Sequence, residues 1–223
     1  MSIFGFQASI HIINLVDMDN IITDMHEFME EDISRGKSLV YYTLPGVEGK
    51  FFGIQKIYNA LKSGETCIFV VSSTSPNNIM CQLKEMGLDV GAFKNKFFFV
   101  DAYSSLLVAP SKEKYVVLNP DSINELSRVV IELLKELPAS TVVFESLSTI
   151  MDLCGEVETI EAVRKWNKTA TLYSHTIVYN FTAWPYSPQT LNLIQKELFN
   201  AVIYIGKSGC ESIGKHQGNN PVK

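Results

Sequence analysis

Basic residues are scarce in this chain. Its 223 residues carry Lys+Arg 19 against Asp+Glu 24, a formal net charge of −5. Only three of the bases are arginines, Arg35, Arg128 and Arg164, and they lie far apart. An acidic chain without a basic cluster has no electrostatic footprint for nucleic acid, so no nucleic-acid partner is expected. Cysteine is sparse too. Cys67, Cys81, Cys154 and Cys210 show no C-x-x-C spacing, and His11, His26, His175 and His216 complete no ligand set. That excludes a disulfide framework and a structural zinc centre, and no metal site is expected. Free thiols in a reducing cytosol are the plainer expectation, hence a cytoplasmic location. No uncharged apolar run approaches the roughly 18 residues of a spanning helix, so no membrane partner is expected. No basic stretch precedes the apolar N-terminal residues, so no secretory signal is expected either.

Apolar material is plentiful. Hydrophobic residues make up 46%, charged residues 19%, and mean hydropathy is +0.09. Such a chain fills a core, which excludes general disorder. The pattern alternates strand and helix. Ser38–Thr43 is an apolar strand ending at the turn signal Pro45-Gly46. Phe51 to Leu61 is a helix with Phe51, Ile54, Ile57, Tyr58 and Leu61 on one face. Thr66 to Ser72 is a second strand. Ser75-Pro76 opens a helix carrying Ile79, Met80, Leu83 and Met86, stopped by Gly87. Lys96 to Asp101, Tyr115 to Leu118, Ser140 to Glu145, Thr171 to Phe181 and Ala201 to Ile205 are further strands. A helix capped by Asp121 runs through Glu136, a helical pair includes Val157 to Asn167, and Pro188 to Phe199 is the last helix.

Strands apolar on both faces belong to parallel sheets covered on either side. The expected fold is therefore α/β: a doubly wound, mostly parallel sheet with helices on both faces. Three regions are expected. Residues 1–37 form a lead-in, with a strand near Ile10 to Leu15 and then a helix rich in Met, Glu and Asp. Residues 38–206 form the core, and 207–223 a polar tail or hairpin.

In such sheets ligands bind at the carboxyl ends of the strands. The first such end reads Leu44-Pro45-Gly46-Val47-Glu48-Gly49-Lys50-Phe51. Gly49 and Lys50 stand where the second glycine and the lysine of a G-x-x-x-x-G-K-[S/T] phosphate loop belong. Four further stretches accompany it in order. Ile33-Ser-Arg-Gly-Lys-Ser38 leads into the first strand, and Ser75-Pro76 follows the second. Phe98-Phe-Val-Asp101-Ala-Tyr103-Ser104 and Val142-Val-Phe-Glu145-Ser146-Leu147-Ser148 end two later ones. Over roughly residues 30 to 205 the chain resembles the RecA/KaiC-like branch of P-loop ATPases, in an archaeal branch with a degenerate Walker A loop. The resemblance implies a RecA-like P-loop fold. It places a nucleotide at Pro45, Gly46, Gly49, Lys50 and Phe51, and makes Glu145 the candidate catalytic residue, in the Walker B position.

The departures from that pattern are chemical. Leu44 takes the first glycine position, where a side chain crowds the backbone's approach to phosphate. Phe51 replaces the hydroxyl that would ligate Mg²⁺. Glu48 puts a carboxylate into the cradle; two like charges about 4 Å apart repel by roughly 4 kcal/mol at an effective dielectric near 20. The family's catalytic acid follows the second strand, but Ser72-Ser73-Thr74-Ser75 holds no acid. Lys50 reads either as a phosphate ligand or as an ordinary lysine at a helix start. Glu145 reads either as a holder of a metal-bound water or as a buried acid paired with Lys50. Bland alternatives stand beside other candidates. Asp101 pins a turn, the 72–75 hydroxyls form a loop and cap, Phe97-Phe98-Phe99 is core, and His175 is a strand residue without function. Trp184-Pro185-Tyr186 sits at the mouth of the sheet, where it contacts a ligand or a neighbour.

Two functions compete. The first is a non-hydrolysing pseudo-ATPase, with no cofactor, serving assembly or protein and peptide binding. The resemblance implies rings or filaments, and the lead-in with Phe4, Phe6, Ile10, Ile12, Ile13 and Leu15, or a bare sheet edge, is the expected means of homo-oligomerisation. The second is an ATPase that binds ATP and Mg²⁺ with Lys50 and Glu145. Glu48, Phe51 and the missing acid favour the first.

Overall fold

The computed structural model describes residues 35–47, 50–85, 87, 89–93, 95–206 and 209–214, with the backbone alone for Lys50, Phe51 and 209–214. The expected lead-in strand and helix, Glu48, Gly49, Met86 and the last nine residues lie outside them.

Eight strands form one sheet. They are β1 (Ser38–Thr43), β2 (Thr66–Val71), β3 (Phe97–Asp101), β4 (Tyr115–Val116), β5 (Ser140–Phe144), β6 (Thr176–Thr182), β7 (Ala201–Gly206) and β8 (Gly209–Gly214). Their order is β4-β3-β2-β5-β6-β1-β7-β8. All pairings from β4 to β7 are parallel, and β8 runs antiparallel to β7. The helices are α1 (Lys50–Lys62), α2 (Pro76–Glu85), α3 (Ile123–Glu136), α4 (Leu147–Cys154), α5 (Glu156–Leu172) and α6 (Pro188–Lys196). This is the doubly wound α/β fold that the alternating pattern predicts. The late strands β5 and β6 insert between β1 and β2, so the ends of β1, β6, β5 and β2 stand side by side.

The pleat divides the core in two. Leu39 and Tyr41 of β1, Cys67 and Phe69 of β2 and Val143 of β5 pack with Ile54, Ile57 and Leu61 of α1 and Ile79 and Leu83 of α2. The alternate residues Val40, Ile68, Val70, Val142 and Phe144 face Leu126, Val130 and Leu133 of α3 and Val163 and Trp166 of α5. Trp166 stacks on Phe144 at 4.7 Å between ring centroids, and Phe144 stacks on Tyr179 at 4.8 Å. Cys67, Cys81 and Cys154 are free, and burial pushes the Cys154 thiol up to about 11, with Asp121 and Glu158 adding to the rise.

Several element boundaries differ from the sequence expectation. The strand expected from Thr171 starts at Thr176, because α5 continues to Leu172. Ala170 is buried in the core and prolongs that helix, and the chain then reverses at Ser174, a non-glycine residue with φ 60°. The last helix ends at Lys196 rather than Phe199. Leu198 and Phe199 are buried as anchors in the turn that follows, and the Leu198 amide donates back to the Leu193 carbonyl at 2.9 Å. Asp121 is not the cap of α3. Ser122 takes that position without a side-chain cap bond, and Glu125 accepts from the Leu118 amide at 2.9 Å instead. The fourth strand spans only Tyr115–Val116.

His175 is not in a strand. It precedes β6 and ties three elements together. Its Nδ1 accepts the Ser140 amide at 3.0 Å, so Nε2 carries the proton and donates to the Leu134 carbonyl at 2.6 Å. Burial pulls its affinity for a second proton below the ordinary value of 6.5, and the Leu134 and Ser140 contacts only partly oppose that. The unfolded chain therefore takes up this proton at higher pH than the folded one. The contribution to stability is complete above 6.5 and falls as pH drops below it, until the folded imidazole itself titrates. We expect urea unfolding to show a loss of up to about 1.4 kcal/mol per pH unit in that range, and the slope to shrink in His175→Gln. An unchanged slope in the variant contradicts this role.

One glycine sets the distance between α1 and the sheet. A Cβ on Gly53 would lie 2.7 Å from the Asn180 side-chain nitrogen and 2.8 Å from Val143 Cγ1. Alanine in a helix interior ordinarily stabilises by about 1 kcal/mol over glycine. Here we expect Gly53→Ala to destabilise by about 1–3 kcal/mol, as overpacked sites do. A stabilised variant in a denaturant melt would contradict the close approach.

Candidate functional site

The carboxyl ends of β1, β6, β5 and β2 meet the amino end of α1. After β1 the chain makes a β-turn, Leu44-Pro45-Gly46-Val47. The Val47 amide donates to the Leu44 carbonyl at 3.2 Å, and Gly46 sits at φ 82°. Proline at the second position and a positive φ at the third are the marks of a type II turn. The turn is fastened at its base: the Leu44 amide donates to the Ile205 carbonyl at 3.1 Å, and the Ala183 amide donates to the Thr43 carbonyl at 2.8 Å. Leu44 is 48% exposed, and Pro45 and Gly46 are exposed as well. Gly49 lies outside the described residues, and Lys50 and Phe51 are described only as the first two backbone positions of α1.

Glu145 follows β5 directly. Its amide donates to the Val70 carbonyl at 2.9 Å, which carries the ladder with β2 one residue further. Its side chain falls on the α1 face, two residues on from Val143, and is 2% exposed. Ser73 reaches both carboxylate oxygens: Oε1 accepts the Ser73 hydroxyl at 2.7 Å, and Oε2 accepts the Ser73 amide at 3.0 Å. The Glu145 carbonyl accepts the Asn180 side-chain amide at 3.3 Å. Beside this clamp the Ser72 hydroxyl donates to the Ser146 carbonyl at 2.9 Å, and Ser146 Oγ caps α4 by accepting the Thr149 amide at 3.1 Å. Ser148 Oγ accepts the Thr182 amide at 2.7 Å and donates to the Thr182 carbonyl at 3.0 Å. Short hydroxyl side chains thus stitch the ends of β2, β5 and β6 together.

Among the described residues Thr43 Oγ1 and Asn180 Oδ1 are buried here without a hydrogen-bond partner. The pleat puts both on the α1 face, in step with Tyr41, which stacks on Phe52 of α1 at 5.2 Å. Thr43 and Asn180 are the residues that sequence reasoning missed; Ser73 stood in the 72–75 hydroxyl cluster, but its contact with Glu145 was not foreseen. Asn180 and Thr43 leave one trace in the sequence, as polar residues in otherwise apolar strands.

The remaining candidates lie apart. Asp101, fully buried at the end of β3, accepts the Tyr103 and Ser104 amides at 3.0 and 2.9 Å and the Ser104 hydroxyl at 2.6 Å. Burial raises its proton affinity. The hydroxyls of Ser104 and Ser111 and the two amides outweigh that, so the carboxyl sits below its usual range. It pins a turn. Ser75 Oγ accepts the Asn78 amide at 3.3 Å, the expected cap. Trp184 is 49% exposed beside the 44–47 turn, while the Tyr186 hydroxyl donates to Asp152 at 2.9 Å and to the Ser148 carbonyl at 3.1 Å. Among the described residues no group of three or more His, Cys, Asp and Glu side chains could hold a metal ion, and no helix is long and apolar enough to cross a membrane.

Comparison with known proteins places this architecture. Residues 18–175 match the family described as "ATPase: KaiC". A UPF0273 protein of Sulfurisphaera tokodaii is 36% identical over 110 residues, covering 48% of this chain and 39% of the relative. A UPF0273 protein of Aeropyrum pernix is 29% identical over 132 residues, covering 58% and 53%. The matched part thus spans about half the length, or less, of these curated relatives. The crystal structure of a KaiC-like protein from Pyrococcus horikoshii superposes with a TM-score of 0.61 at 18% identity, covering 83% of this chain and 81% of that one, and it shares the fold. The family match extends over more than half of the chain: this chain belongs to the KaiC ATPase family.

Proposed function

We propose that this chain is a RecA/KaiC-like pseudo-ATPase, a module for assembly or protein binding built on a nucleotide-binding scaffold that no longer hydrolyses. The observation that carries the reading is the Glu145–Ser73 clamp. The resemblance places the magnesium-associated acid at Glu145 and a catalytic acid just after β2. Ser73 lies in that second place, and it takes up both oxygens of Glu145. Three further points support it. The Val47 amide is spent on the Leu44 carbonyl rather than aimed at a phosphate. An exposed leucine stands at the first glycine position. Phe51 offers a magnesium ion no oxygen. A magnesium nucleotide does not fit this set.

One observation favours the second reading, an ATPase using Lys50 and Glu145. Thr43 Oγ1 and Asn180 Oδ1 are buried and unpartnered under the amino end of α1, and buried polar atoms ordinarily find partners. Titration calorimetry separates the two. The pseudo-ATPase gives no heat of binding at micromolar ATP with Mg²⁺. Micromolar binding that disappears in Lys50→Ala establishes the second reading and removes the first.

Assembly through the apolar stretch between Phe4 and Leu15 has its own test. Light scattering of the full chain is expected to give an oligomer mass that falls to the monomer when residues 1–20 are removed. A monomer mass in both preparations contradicts it.

A further inference from the structure

Beyond β3 the chain displays what it hides elsewhere. Leu106 to Pro110, five residues in succession, are apolar and exposed, with Leu107 at 61% and Val108 at 94%. A run of that length on a surface marks a place that something covers. This one is also held rigidly. The buried Asp101 takes the Tyr103 and Ser104 amides and the Ser104 hydroxyl where the loop leaves β3, and the Ser111 hydroxyl where it returns. Within the loop the Ala109 amide donates to the Ser104 carbonyl at 3.0 Å, and the Val108 amide to the Ser105 carbonyl at 3.2 Å. Val108 is held at φ 52°, a conformation that β-branched residues rarely adopt. The fold thus fixes a convex apolar hook in place of a slack loop.

A matching concavity lies before the other end of the same strand. A groove of about 710 Å³ runs between α2 and the segment that precedes β3, lined by Met80, Cys81 and Lys84 with Asp89, Val90 and Gly91. Met80, Cys81 and Lys84 share one stripe of α2, and Ile79, Leu83 and Val90 fix both walls to the core. Lys84 and Asp89 are charged groups of the groove. Lys112 and Glu113, just after the hook, bring the opposite signs. The hook is pinned at the carboxyl end of β3 and the groove precedes its amino end, so one copy's hook cannot fill its own groove. A second copy's hook can.

We propose that the Leu106–Pro110 hook of one copy docks in the α2 groove of another, so that copies associate head to tail. Leu107 and Val108 enter beside Met80 and Cys81, with Lys112 toward Asp89 and Glu113 toward Lys84. Such an interface is heterologous: the end copies keep a free hook or a free groove, and the association propagates. A hook of this size makes a contact of the small, transient class, below about 1,200 Å². It therefore adds to assembly through the lead-in and does not set the mass of a dilute preparation. It involves neither Glu145 nor the turn after β1, so it stands apart from the reading of a closed nucleotide site.

Disulfide trapping in the full chain tests this, because the groove already holds an exposed thiol at Cys81, whereas Cys67 is buried and Cys154 half-buried. Val108→Cys treated with diamide is expected to give a ladder of linked dimers and larger species. Docking raises the local concentration of the thiol pair, so the ladder should form at least about tenfold faster than in Asn124→Cys, at an exposed position of α3. Adding Cys81→Ser to Val108→Cys should abolish it. That double variant, mixed with Val108→Asp, should give a linked dimer and nothing larger, since one hook and one groove thiol remain. Aspartate tolerates the backbone at position 108 better than valine does, so Val108→Asp keeps its fold. Trapping no faster than in Asn124→Cys overturns the proposal, as does a mixture that yields no linked dimer. A dimer that persists after Cys81→Ser also overturns it, since that is the signature of two hooks meeting each other.

Discussion

Everything in this molecule follows from sealing both faces of a parallel sheet. Strands β1, β2, β5 and β6 are buried on each side, by α1 and α2 on one and by α3 to α6 on the other. With both faces dry, polar chemistry is driven to the strand ends, where backbone groups and short hydroxyl side chains can satisfy one another. The seal also sets geometry. Helix α1 comes so close to β5 and β6 that only a glycine fits at position 53, and that closeness delivers the turn after β1 to the same rim as Glu145 and Asn180.

At that rim the side chains work on one another. Ser73 occupies Glu145, Ser72 reaches Ser146, and Ser148 bridges both backbone groups of Thr182. Each bond is worth only about 1 kcal/mol net, but together they join three neighbouring strands into one rigid platform. At the same strand ends Leu44 and Trp184 are exposed apolar side chains, and the Val47 amide is taken by the Leu44 carbonyl. A scaffold of this kind is suited to holding a partner in place, and the proposed function rests on that arrangement.

The strands were legible because each central one is an unbroken apolar run between turn signals, a pattern that parallel burial imposes. Boundaries failed where tertiary contacts outvoted local pattern. Thr171 and Leu172 read as strand, but Trp166 and Ala170 anchor α5 in the core and carry it past them. Leu198 and Phe199 read as helix, but they are plugs in a turn. At the site, the positions of Pro45, Gly46 and Glu145 were legible from order and spacing along the chain. The contact between Glu145 and Ser73 was not: Ser73 lies 72 residues away, and only the pairing of β2 with β5 brings the two together. Asn180 was hidden for a related reason, since a buried asparagine is meaningful only once its neighbours Gly53 and Glu145 are known.

The central claim is that the turn after β1 and the clamp on Glu145 have closed the nucleotide site. Crystals of the full chain soaked in ATP and MgCl₂ address it directly. The account predicts that the 44–47 turn and the Glu145–Ser73 contacts persist with no triphosphate between them. A triphosphate seated over the amino end of α1, with its magnesium coordinated near a Glu145 released from Ser73, would contradict it.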